Sequence, residues 1–296
     1  MKINLNYSAG LQRSEEPIHK SNKESLERYL DKVDAAIKHG YQLEASTTAS
    51  KDKEFMVDFL SLANNKKHDL NAHYCDSPLE MMEKIKLLLE ENKMSARFVV
   101  NMGEGGTHFS AFEFLKTNDK ISIIGIEPAT VQGMGPALLA FRCMQAVNRE
   151  FPDASFAFVE TDLQRSNGDC GMFSLFLVNK MLKEKSAMHQ IHEKNISGDL
   201  KTDHGILNKN EADFLIPPSF MKHTQSPSRL ERYLNANSSI RDACINKKGE
   251  TLKERQDRNV TSIESNGKKI TYSNSIELKR RMEIESLFSH ISASKR

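Results

Sequence analysis

Residues Thr107–Glu127 read THFSAFEFLKTNDKISIIGIE, and the pattern of this stretch decides the fold. Two β-prone runs, Thr107–Leu115 and Lys120–Ile126, flank the polar Lys116-Thr117-Asn118-Asp119, which predicts a β-hairpin around that turn. A four-residue turn sets His108 opposite Glu127. Directly opposed residues on one sheet face have Cβ atoms ~4.5–5.5 Å apart, near enough for a carboxylate to hold an imidazole. An ordinary surface His–Glu pair is the plain alternative reading at this point.

Further β-prone segments lie on either side of the hairpin, at Arg97–Asn101 and Ser155–Glu160, with a helix expected from about Pro136 to Glu150. Upstream, Leu26, Tyr29, Leu30, Val33 and Ile37 fall at helical spacing up to Gly40. A second helix is expected near Glu54–Ala63, a weak strand at Asp69–Tyr74, and a third helix opened by Ser77-Pro78. Downstream, a helix runs from Cys170 to about Lys185, and more are expected near Ser228–Leu234 and Ile276–His290. Helices, then a mostly antiparallel central sheet, then helices describe an α+β fold rather than a doubly wound one. The expected division is a disordered leader at 1–20, a core with its N-terminal helices at 21–190, and a C-terminal region at 191–296 packing on that core.

The composition excludes several classes. Charged residues make up 28% of the 296, yet the formal net charge is only +2. A general nucleic-acid binder would carry a strong basic excess, so any basic site must be local. No apolar run approaches the ~18–20 residues that span a bilayer. Cys75, Cys143, Cys170 and Cys244 are scattered without the spacing of a zinc site, so no metal and no disulfide framework is expected.

One cysteine has a distinctive setting. Gln164-Arg165-Ser166-Asn167-Gly168-Asp169 forms a polar loop that runs straight into the apolar stretch Cys170–Val178. A thiol at a helix N-terminus faces unsatisfied backbone N–H groups and the positive end of the helix dipole, and both favour the thiolate. Gln164 can offer a side-chain N–H to an oxyanion, beside the backbone N–H of Cys170. A buried helix-start cysteine with a structural role is the alternative. These residues alone describe a Cys–His–Glu enzyme.

The same residues carry a resemblance. Gln164, five residues, then Cys170-Gly171 with Asp169 before the cysteine resembles the nucleophile motif of the Ulp-type SUMO-protease clan. Within that clan, Asn101–Ser110 looks like the catalytic-histidine segment of the YopJ family of secreted effectors. Glu127-Pro128-Ala129, Gly135-Pro136-Ala137, Glu160–Ser166 and Lys222-His223-Thr224-Gln225 extend the likeness, which covers about residues 78–290. Ulp-type proteases usually place Trp after the catalytic His; here Phe109 follows His108 and the chain has no Trp.

The resemblance implies a Ulp-like core and an acetyltransferase with His108, Glu127, Cys170 and Gln164 as catalytic residues. It implies acetyl-CoA as co-substrate, with coenzyme contacts on His108, Arg165, Ser166, Gln225 and the Asn266-Gly267-Lys268-Lys269 turn. It implies inositol hexakisphosphate as activator, held by Lys180, Lys183, Lys222, His223 and Arg255. Ser, Thr or Lys of host protein kinases of the MAP kinase kinase type would be the acceptors. The protein would be a monomer, delivered by a type III secretion system to the host cytoplasm. An isopeptidase that removes ubiquitin-like modifiers, and a non-catalytic effector that sequesters kinases, are the competing readings.

Overall fold

The computed structural model describes residues 20–200, 202–265 and 268–293, so the expected leader, Lys20 apart, lies outside the described residues. In chain order the elements are α1 (Lys20–His39), α2 (Ala45–Lys66), β1 (Ala72–Cys75), α3 (Pro78–Glu90), β2 (Ser95–Asn101), β3 (Phe109–Thr117), β4 (Lys120–Glu127), α4 (Met134–Glu150), β5 (Ser155–Glu160), α5 (Cys170–Lys183), α6 (Lys185–Ser197), β6 (Ile206–Leu207), α7 (Lys209–Ala212), α8 (Pro227–Ala236), α9 (Leu252–Arg258), β7 (Val260–Ser265), β8 (Lys268–Ser273) and α10 (Ser275–Ala293). Ser77 accepts from the Glu80 N–H at the start of α3, with Pro78 in the first turn, as its sequence predicts.

Strands β1 to β6 form one sheet in sequence order, and β7 and β8 form a separate hairpin. The fold is α+β, but the central sheet is mixed rather than mostly antiparallel. Only β2–β3 and β3–β4 pair antiparallel; β1–β2, β4–β5 and β5–β6 are parallel. The cause is connectivity. Helices α3 and α4 carry the chain from β1 to β2 and from β4 to β5, and a helical crossover brings the next strand back in the same direction.

The sheet is buried on both faces, which is why β4 reads as a nearly continuous apolar run. Phe98, Phe112, Phe114 and Phe158 pack with Met82 and Ile85 of α3 and Leu139 and Val147 of α4. On the other face Val99, Ile124 and Ile126 pack with Phe55 and Phe59 of α2 and Phe173 and Val178 of α5. That second core also takes Ile284 and Leu287 from α10, so residues beyond 190 complete it.

The β3–β4 hairpin forms as expected, with a tighter turn. Thr117 pairs with Lys120, and Asn118 and Asp119 alone make the loop, at φ 48° and 64°. Two successive left-handed residues are the signature of the two-residue turn whose twist suits paired strands. The register therefore shifts by two residues: Ala111 pairs with Ile126, and Glu127 comes level with Ser110 instead of His108. A shift of two keeps every side chain on its own face, so His108 and Glu127 remain diagonal neighbours.

A buried ion-pair cluster ties α10 to the rest. Arg280, 1% exposed, donates from Nη2 to Asp52 Oδ2 at 2.9 Å and from Nη1 to Asp169 Oδ1 at 2.7 Å. Tyr29 of α1 also donates to Asp52, at 2.9 Å. Burial opposes the guanidinium charge, but Asp52, Tyr29 and Asp169 outweigh it and hold Arg280 charged. Burial and the Asp169 charge push nearby Glu277 up to about 8, which keeps it neutral at pH 7 and spares the cluster a third carboxylate. Arg280→Ala strands two buried carboxylates and should cost about 3–5 kcal/mol in urea denaturation. Arg280→Lys should recover little of this, because one ammonium cannot span both carboxylates. A loss below about 1 kcal/mol for the alanine variant would show that the cluster does not hold the fold.

Candidate active site

His108 ends a loop whose shape Asn101 imposes. The fully buried Asn101 amide donates to Gly106 O at 3.0 Å and His108 O at 3.1 Å, and accepts from Gly103 N at 3.0 Å. Gly103, Glu104 and Gly105 all have positive φ, which two glycines in three make feasible. From the other side, α4 begins against the imidazole. A Cβ added at Gly135 would stand 3.1 Å from His108 Cβ, so any larger residue would press on the imidazole and force it or the helix to give by a few tenths of an ångström.

The imidazole is fixed by a saturated carboxylate. His108 Nε2 lies 2.8 Å from Glu127 Oε2. Glu127 is fully buried and also accepts from the Ser110 hydroxyl and, at 2.7 Å, from Ala129 N–H. Burial works against a charged imidazole, but the Glu127 carboxylate, followed by the Cys170 sulfur, outweighs it and pushes His108 up to about 10. With Nε2 committed to Glu127, Nδ1 is the ring atom left for the thiol.

Cys170 is the first residue of α5, 3% exposed, with Sγ 3.5 Å from Thr107 O. Asp169 stands in the capping position yet makes no side-chain cap, because Arg280 engages its Oδ1 while Ser166 Oγ and Gln225 Nε2 donate to its Oδ2. The first-turn N–H groups are therefore not quenched by a side chain and can face negative charge on sulfur or on an oxyanion. Gln164 lies on the same loop; its Nε2 donates to Ser166 O at 2.6 Å, and its Oε1 is buried without a hydrogen-bonding partner.

Besides His108, the expected coenzyme residues divide into three groups. Arg165 and Ser166 lie on the loop leading to Cys170, where the Arg165 side chain, 38% exposed, pairs with Asp162. Gln225 is fully buried beneath that loop. Its Oε1 accepts from the backbone N–H of Arg165 and, at 2.9 Å, of Ser166, and its Nε2 donates to Ser166 Oγ at 2.8 Å. Gln225 thus holds the loop rather than facing solvent. Asn266 and Gly267 lie outside the described residues, while Lys268 and Lys269 start β8. That hairpin reaches the site through Ser273 N–H, which donates to Gln225 O at 2.9 Å.

All five expected polyanion residues, Lys180, Lys183, Lys222, His223 and Arg255, line one cleft of about 1040 Å³. Ten lysines and arginines face it against two glutamates, on a chain whose net charge is only +2. Burial, then the Lys222 and Lys183 charges, lower Lys180 to about 8. Burial, then Lys183 and Arg255, lower Lys222 in the same direction. His223 sits at the buried end, where desolvation and then Arg255 hold it well below its ordinary value and keep it neutral. Its ring stands edge-on to Phe176 at 4.6 Å, and its Nδ1 meets Ser275 Oγ at 3.0 Å.

Sequence reading missed Asn101, Ser110 and Arg280, and from the cleft Lys66, Lys67, Lys247, Lys248, Arg258 and Lys279. Ser110 was open to detection, being two residues from His108 on the same strand face. Arg280 and Asp52 lie 228 residues apart and carry no local signal.

The family described as YopJ serine/threonine acetyltransferase matches residues 26–286. The serine/threonine-protein acetyltransferase YopJ of Yersinia pestis is 38% identical over 284 residues, covering 96% of both chains. YopJ of Yersinia pseudotuberculosis is 37% identical over the same coverage. Among solved structures, AvrA with IP6 and CoA superposes with a TM-score of 0.81 at 39% identity, over 90% of this chain and 98% of that one. HopZ1a in complex with IP6 superposes with a TM-score of 0.73 at 17% identity, over 94% and 98%, a likeness of fold. On the family match and an identity that runs almost end to end, the chain belongs to the YopJ serine/threonine acetyltransferase family.

Proposed function

We propose that this protein moves acetyl from acetyl-CoA to serine or threonine of host signalling kinases through an acetyl-Cys170 intermediate, under activation by inositol hexakisphosphate. The observation that carries the reading is His108, held 2.8 Å from a fully buried Glu127, with the Cys170 sulfur at an uncapped helix start the next largest influence raising its charge. With His108 raised to about 10 the ring rests as imidazolium, and the chemistry runs through the thiolate because that is the nucleophilic form of a cysteine. The thiolate attacks the thioester carbonyl, and its oxygen takes up negative charge near the Cys170 N–H and Gln164 Nε2. Collapse expels the coenzyme thiolate, which takes the His108 proton, and leaves acetyl on Sγ. His108, now neutral, removes the proton of the acceptor hydroxyl as that oxygen attacks the acetyl carbon, which restores thiolate and imidazolium. Type III secretion and action in the host cytoplasm belong to the same reading, as does a coenzyme-binding and regulatory role for residues 191–296.

The cleft supports the activator assignment by charge. Lysines that depress one another's pKa gain most from a ligand with several phosphates, which stabilises their protonated forms. Arg165 and Ser166 border the nucleophile and suit the coenzyme, with Gln225 acting through the loop it holds. An isopeptidase would use the same three side chains, but Phe109 is fully buried in the core and offers no lid to a threaded peptide tail.

Cys170→Ala should abolish acetyl incorporation, and His108→Ala should be comparably severe, with unchanged circular dichroism for both. Acetylation of the substrate at near-native rate by the cysteine variant would end the covalent mechanism. Purified protein offered SUMO and ubiquitin conjugates should release neither modifier; rapid release without acetyl uptake would favour the isopeptidase.

The imidazole resonances of His108 should titrate near 10 by NMR. In Glu127→Gln burial is no longer outweighed by that charge, so the titration should move down by several units. Between the unfolded value near 6.5 and the folded value near 10, the folded chain holds a proton that the unfolded chain lacks. This contribution to stability is full below about 6.5 and is lost as pH rises through that window. An unshifted titration in Glu127→Gln would remove the carboxylate from the account.

Inositol hexakisphosphate at about 100 times its dissociation constant should add about 2.7 kcal/mol of stability. It should also tighten coenzyme A binding, and Lys180→Glu and Arg255→Glu should abolish both effects. An unchanged melting temperature at saturation would count against the assignment.

A further inference from the structure

Among the described residues the most exposed large apolar side chain is Met134, at 85%. It opens α4 one residue before Gly135, the position at which that helix abuts His108. Phe141, seven residues on, is 49% exposed, and half-buried Leu138 lies between them. A spacing of four and then three places all three on one helix face. The opposite face, with Leu139, Cys143 and Val147, is buried against the sheet. An amphipathic surface helix should turn polar residues outward, so α4 has an apolar stripe its own core does not need. Met282 and Phe214 are also exposed, but Met282 lies at the basic cleft and Phe214 stands alone beyond α7. Only the α4 stripe begins at His108.

Position argues for what covers it. On the transferase reading, on which this inference rests, the acceptor hydroxyl must come within about 3 Å of the His108 ring. The residues flanking that hydroxyl then lie over whatever borders the ring, and on this side the border is Gly135 and Met134. From Met134 to Phe141 is about 10 Å along the helix, the reach of roughly three residues of extended chain. No cation interrupts the stripe, so it does not suit the coenzyme's phosphates.

We propose that Met134, Leu138 and Phe141 dock the acceptor protein, gripping apolar side chains two to four residues from the acetylated serine or threonine. This makes α4 a determinant of which hydroxyl is modified, separate from the residues that form acetyl-Cys170.

The test uses full-length protein with inositol hexakisphosphate, as wild type, Met134→Ser, Phe141→Ser and the double variant. Two synthetic peptides serve as acceptors, each with one serine, flanked two to four residues away by leucines in one and by glutamines in the other. Acetyl-enzyme is measured by intact mass without any peptide. Wild type should favour the leucine peptide about tenfold, through KM, since one well-seated apolar contact is worth that much. The double variant should lose this preference while forming acetyl-enzyme at the wild-type rate. Equal KM for both peptides, acetylation of neither, or an unchanged preference in the double variant would overturn the proposal. A wild-type dimer in sedimentation that the variants dissociate, with peptide kinetics unaltered, would assign the stripe to a second copy instead. Absence of acetyl-enzyme in the wild type is the separate result that removes the transferase reading itself.

Discussion

One buried guanidinium joins three parts of the chain that lie far apart in sequence. Arg280 on α10 reaches Asp52 on α2 and Asp169 beside the nucleophile, and all three are nearly free of solvent contact. Taking such charges out of water costs several kcal/mol each, and the arrangement holds only because each carboxylate finds a donor. The consequence reaches the chemistry. A carboxylate at the residue before α5 would ordinarily turn back to cap that helix and quench its N-terminus. Held by Arg280 on one oxygen and by Ser166 and Gln225 on the other, Asp169 leaves the first turn uncapped where Cys170 stands, so an interaction that ties α10 into the fold also shapes the nucleophile's setting.

Burial acts in opposite senses at the two polar centres. At Glu127 the cost is met by three donors, and the fixed charge then raises His108 against desolvation. In the basic cleft, burial and like charge act together, and Lys180 and Lys222 are both lowered. The first site is complete as it stands. The second is frustrated by excess positive charge, and relief must come from an anion.

The same contrast explains what could be read from the sequence. Alternation and the turn residues gave the β3–β4 hairpin, and parity alone put His108 and Glu127 on one face. The register was not legible, because Lys116 and Thr117 are as acceptable in a strand as in a turn, and only Asn118 and Asp119 take the left-handed backbone. The start of α5 was legible because Gly168-Asp169 gives way abruptly to an apolar run. The β7–β8 hairpin was not, since its strands are mostly polar and only Tyr272, 5% exposed, and backbone bonds such as Ser273 to Gln225 tie it to the molecule. Charged helix residues usually face solvent, so nothing marks Arg280 as the exception. The five cleft residues followed from family likeness; the lysines from α2 and from the 247–248 loop that join them come from segments with no such cue.

The cleft and the nucleophile loop are connected through one short segment. Lys222 and His223 end the 3₁₀ turn Pro218–His223 and face the cleft, and two residues later Gln225 holds the backbone of Arg165 and Ser166. The segment is braced from α9, where Arg255 Nε donates to Lys222 O at 3.1 Å and Gln256 Nε2 to Thr224 O at 3.0 Å. Arg255 is itself a cleft residue, so a ligand that neutralises Lys222 and Arg255 acts on both ends of this brace. Lys222 and Arg255 carry like charge across this brace, and the Arg255 charge helps lower Lys222. A physical route for coupling needs contiguous contacts and an element whose arrangement both sites bias. Residues 222–225 supply the contacts, and the excess charge of the cleft supplies the bias that an anion would reverse.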